Sequence, residues 1–77
     1  NMSRTIKEIV NEAAQTYDLQ VLIMLWNEIA NNKREYPLSE IWDANVYIRE
    51  RSFLTNSQDI DKSKFYLELK SQCPVVH

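Results

Sequence analysis

The chain has no glycine among its 77 residues, where ordinary usage of about 7% would supply roughly five. Phosphate-cradling loops and dinucleotide fingerprints need glycine where the backbone approaches the ligand, so both are excluded. Any turn that requires φ > 0 falls to Asn or Asp, with Asn31, Asn32 and Asn56 as candidates. Cysteine is nearly as scarce: Cys73 stands alone, so no internal disulfide can form. Small secreted domains commonly supplement a thin core with disulfides, so a reducing, cytoplasmic setting is expected here. Long apolar runs are missing too. The longest, Val21 to Trp26, has six residues, against about twenty for a membrane-spanning helix. Nothing reads as a signal peptide, and no membrane partner is expected. Asn1 ahead of Met2 reads as a cloning remnant, with Met2 the expected natural start.

An excess of one charge is also lacking. The net charge is −2, with the two signs interspersed, which argues against a polybasic nucleic-acid arm or an anionic-membrane binder. What remains is ordinary globular material. Apolar residues make up 44% of the chain, enough for one small domain over residues 2–72, followed by a C-terminal tail over 73–77 that Pro74 opens. A domain of this size buries only about 60–65% of the surface its unfolded chain exposes, so its core is thin.

The first half reads as two antiparallel helices. Thr5 and Glu8 fit a capping box, and behind them Ile6, Ile9, Val10, Ala13, Ala14 and Tyr17 recur on one helical stripe. This predicts a helix over about 5–17. Asp18 can cap a second helix, whose main stripe is Leu19, Leu22, Ile23, Trp26, Ile29 and Ala30. Val21, Met24 and Leu25 extend its apolar surface over much of the remaining circumference. Such a helix is either buried between other elements or exposed at an interface. It should end near Asn31-Asn32. Ser39 then predicts a short third helix, Glu40 to about Ala44, burying Ile41 and Trp42.

In the second half, Val46-Tyr47-Ile48 and Phe65-Tyr66-Leu67 are rich in strand formers. Read as a β-hairpin, Val46 and Ile48 share a face with Phe65, Leu67 and Leu69. The other face then carries Tyr47, Arg49 and Arg51 beside Tyr66, Glu68 and Lys70. The expected class is therefore α+β: two antiparallel helices, a short third and a β-hairpin. The alternative is an all-α bundle of four short helices. Leu25-Trp26-Asn27-Glu28, a Tyr/Ser/acidic stretch and the aromatic Phe65-Tyr66 segment follow one another across residues 18–70. This order resembles small uncharacterised proteins of phages and integrative elements in gut bacteria. The resemblance implies a mobile-element origin and brings no activity with it. The chain departs from that group in lacking glycine and a heavily acidic middle.

Candidate chemistry is sparse. Asp59 and Asp61 lack the further oxygen ligands a calcium loop needs. Cys73 and His77 are two ligands where a structural zinc site takes four. They are also the only thiol and imidazole for a nucleophile and base, and both fall in the last five residues. The pairs Glu8/Glu12 and Glu40/Asp43 read as solubilising charge. No catalytic residue, metal or cofactor is therefore expected. Two binding surfaces are. Val21, Met24 and Leu25 form a candidate protein-binding patch, for a partner or for self-association as a homodimer. Arg49, Arg51, Lys62 and Lys64 form the alternative, the wing of a winged-helix-like nucleic-acid binder. Glu40 and Asp43, which would face phosphates, and Glu50, Asp59, Asp61 and Glu68, which dilute the wing, weigh against it, since phosphate contacts dominate nucleic-acid affinity. The favoured expectation is a non-catalytic protein-interaction module, a phage or mobile-element regulator or inhibitor of a host protein.

Overall fold

A computed structural model describes residues 3–72. The expected tail, 73–77, lies outside the described residues, and Cys73 and His77 with it. Helix α1 (Ile6–Ala13) opens on the capping box. The Glu8 N–H donates to the Thr5 hydroxyl at 3.1 Å, and the Thr5 N–H donates back to the Glu8 carboxylate at 2.8 Å. That second bond holds the Glu8 carboxyl below its ordinary value. The helix buries Ile6, Ile9 and Ala13 and stops short of its expected end, leaving Tyr17 in the connection.

Helix α2 (Leu19–Asn31) begins where the Asp18 carboxylate accepts from the Gln20 N–H. Its buried line is Leu22, Leu25, Trp26 and Ile29. At the far end the Asn32 side chain donates to the Glu28 carbonyl, closing the last turn ahead of a 3₁₀ turn, Lys33–Glu35. The N-terminal segment is tied to this same end. Arg4 forks onto Glu28 through two hydrogen bonds of 2.6 and 2.9 Å, and the Tyr36 hydroxyl donates to the Arg4 carbonyl.

The expected hairpin does not form. Helix α3 (Leu38–Phe53) and helix α4 (Lys64–Gln72) occupy its place, and no strand occurs among the described residues. The α+β expectation is corrected to the all-helical alternative. The physical reason is in α3. Ile41, Ala44, Asn45, Ile48 and Ser52 are all buried, at i, i+3, i+4, i+7 and i+11, which is one helical face. Strand preference spans only about 1 kcal/mol, and burying that whole face outweighs it. Ser39 does not cap α3: Pro37 holds that position, without a side-chain bond. In α4, Tyr66 and Leu69 are buried at i and i+3, while Leu67 is exposed.

Helices α1, α2 and α3 pack against one another around Ile9, Leu22, Ile29 and Ile48. Helix α4 adds Tyr66 and Leu69, and Ile60 plugs in from the preceding loop. Of the three candidate turn asparagines only Asn56 has positive φ, at 62°. It stops α3 as glycine commonly does. The Ser57 N–H reaches the Ser52 carbonyl, and the Asn56 N–H reaches that of Phe53. Among the described residues no helix is long and apolar enough to cross a membrane.

Candidate protein-docking face

The expected patch on α2 is split by the fold. Met24 is 68% exposed, Val21 is half-buried against the core, and Leu25 is a core residue at 3%. The helix is rotated so that Gln20, Met24, Asn27 and Asn31 face outward. Met24 is thus a lone apolar side chain in an amide row, and Leu25 has no surface to offer.

The four cations of the expected wing are likewise separated by role. Arg49 is committed: its Nε donates to Asp61 at 2.6 Å and its guanidinium lies 4.4 Å from the centre of the Tyr66 ring. The bond to Asp61 raises its pKa further above the ordinary arginine value. Lys62, in the connection between α3 and α4, and Lys64, the first residue of α4, are exposed. Arg51 lies on another side of α3, with Nε donating to the Thr16 carbonyl at 3.0 Å. Its guanidinium is 4.0 Å from the Tyr17 ring and 5.8 Å from the Tyr47 ring. Arg49 and Lys70, expected on one face with Tyr66, both lie over that ring. The contact is made between α3 and α4, not across a hairpin.

The larger exposed feature belongs to α1 and α3. A groove of about 380 Å³ runs between them. Its apolar lining includes Val10, Ala44 and Tyr47, and Glu40 and Asp43 line it from α3, with Lys7 opposite on α1. No α2 residue contributes, so the groove opens on the side of the α1–α3 pair that α2 leaves free. The apolar line continues beyond Tyr47 to Leu54, which is 70% exposed and follows Tyr47 by seven residues, two helical turns. Val46 and Phe53 form the outer shoulder of the same helix, also seven apart and exposed. In its second half α3 is therefore apolar on two sides, one facing the core and one facing out. Among the described residues no ion pair involves Glu40, Asp43 or Glu50.

The residues missed at the sequence level, Val10, Ala44, Tyr47 and Leu54, become a line only once α3 is known to be a helix. A second cleft, lined by Lys33, Tyr36, Phe65 and Glu68 among others, holds about 230 Å³, less than the roughly 300 Å³ at which small-molecule sites begin. Among the described residues no group of three His, Cys, Asp or Glu side chains gathers that could hold a metal ion. No protein-family model, curated protein or solved structure matches the chain.

Proposed function

We propose that this chain is a non-catalytic protein-interaction module that receives its partner in the groove between α1 and α3. The observation that carries the reading is the groove itself, floored by buried Ala44 and edged by half-buried Val10 and Tyr47, with exposed Leu54 beyond it. Exposed apolar surface of this kind commonly marks protein contacts. Between Tyr47 and Leu54 stands Arg51, flanked by Tyr17 and Tyr47, and tyrosine and arginine are enriched among the residues that dominate binding energy.

The non-catalytic part rests on the sequence, where the only thiol and the only imidazole fall in the last five residues. The module works in the cytoplasm, a placement supported by the lone cysteine. As a phage or mobile-element product it regulates or inhibits a host protein. That part is supported by the resemblance across residues 18–70 alone. The test is photo-crosslinking in a bacterial cytoplasm, with a photoreactive amino acid at Leu54 and, as control, at Met24. A discrete protein adduct from position 54 and none from position 24 is expected. Adducts from position 24 alone, or from neither, would overturn the reading.

A further inference from the structure

We infer that the partner seated between α1 and α3 is a basic amphipathic helix, an inference that rests on the docking reading above and adds the partner's chemistry. The geometry favours a helix. The groove lies between two helices, and α2 already packs against both of them on their other side. Among the described residues there is no sheet edge on which an extended peptide could add a strand. A helix laid into the open side would meet the ridges of α1 and α3 as α2 does. From Glu40 to Leu54 the available length is about 21 Å, which matches a partner helix of about 14 residues.

The charge fixes the sign. Glu40 and Asp43 line the groove from α3, and Glu50 lies exposed further along the same helix. None of the three has an ion-pair partner among the described residues. The cation on the opposite wall is Lys7 alone. Arg51 lies past the acidic stretch and is already bonded to the Thr16 carbonyl. The acidic groups run along α3 from Glu40 to Glu50, and the exposed apolar side chains Phe53 and Leu54 stand at its end. A complementary helix carries lysine or arginine over Glu40, Asp43 and Glu50, and an apolar stripe at i, i+3, i+7 running toward Leu54. An acidic helix of the same shape would place carboxylates against carboxylates, which disfavours it.

The probe is a pair of synthetic helical peptides of about 14 residues, sharing one leucine stripe and differing only in flanking lysines or glutamates. Binding to the full chain is measured by fluorescence anisotropy and mapped by amide chemical shifts. The lysine peptide should bind roughly fivefold tighter or more at low salt, as three exposed charge pairs would give, with shifts at Val10, Ala44 and Tyr47. The preference should fade at high salt and reverse in the double variant Glu40→Lys, Asp43→Lys. Both positions are exposed, and an unchanged thermal melt checks that the variant folds. Equal affinity for both peptides, or preference for the glutamate peptide, would overturn the basic chemistry and leave the groove reading standing. Shifts that avoid the groove, or no binding by either peptide, would overturn both. Concentration-dependent shifts at the groove without peptide would replace the basic helix with a second copy of the chain.

Discussion

Replacing Ser63 with alanine should cost about 2–3 kcal/mol of stability, because one hydroxyl serves three partners. It accepts from the Tyr66 N–H at 3.2 Å, which caps α4. It accepts from the Trp26 indole N–H at 3.0 Å, and it donates to the Ile60 carbonyl at 2.7 Å. Loss of an N-cap costs about 1 kcal/mol. Trp26 is only 2% exposed, so its N–H would be left unsatisfied, at a further cost of about 1–2 kcal/mol. A chain of this size has roughly 4–11 kcal/mol of stability in total, so the change is a large fraction. Urea unfolding followed by circular dichroism measures it. Ser63→Gly keeps most of the cap preference and should recover somewhat under 1 kcal/mol of the loss. Ser63→Thr keeps the hydroxyl and should recover most of it. If Ser63→Ala unfolds within about 0.5 kcal/mol of the parent, the scatter of a neutral surface change, the hydroxyl is not the link described.

Three other outcomes are expected. Asn45 is fully buried, and among the described residues neither of its side-chain polar atoms has a hydrogen-bond partner. Asn45→Leu should therefore raise stability by about 1–2 kcal/mol, and a lower urea midpoint would contradict this. Met24→Glu should leave stability within about 0.5 kcal/mol, whereas Leu25→Glu, which buries an unpaired charge, should cost more than about 3 kcal/mol; equal effects would mean α2 is rotated otherwise. The hydrogen bonds from Arg4 hold the Glu28 carboxyl below its ordinary value of 4.5. A lowered folded-state pKa gives stability that is present above the ordinary value and lost as pH falls through the folded one. Urea midpoints measured across that range should fall with acidity, and less steeply in Glu28→Gln.

The legible and illegible parts of the fold divide near residue 44. Thr5, Glu8 and Asp18 act through local backbone contacts, and a capping pattern is readable because it spans only two or three residues. The apolar spacing around Ile6 and Ile9 is unbroken, so α1 could be placed. The first turns of α3 are the expected short third helix, but its continuation past Ala44 is hidden by its own core face. Asn45 and Ser52 are buried there among Ile41, Ala44 and Ile48, so the 3.6-residue period is interrupted by polar residues at the positions that define it. The neighbouring Val46-Tyr47-Ile48 run then reads as a strand. The docking face went with it. A strand period puts Tyr47 and Arg51 on one face for the wrong geometry and gives Leu54 no place, because which residues share a face depends on the period. On α2 a hydrophobic circumference was visible, but not its rotation. Whether Met24 or Leu25 turns inward depends on where α1 and α3 lie, and residues 19–31 do not encode that.

Helix α4 buries Tyr66 and Leu69 in the core, packs Phe65 against Trp26 and is fastened at its start by the hydroxyl of Ser63. In hydrogen exchange it should behave as a unit of its own, opening below the free energy that unfolds α2 and α3 together. Each opening would break the bond to Trp26 and wet that indole, so its emission would report the event. The groove shares no residue with α4. Occupancy on one side of the molecule and opening on the other would then be thermodynamically separate, and a bound partner would leave the exchange of α4 amides unchanged.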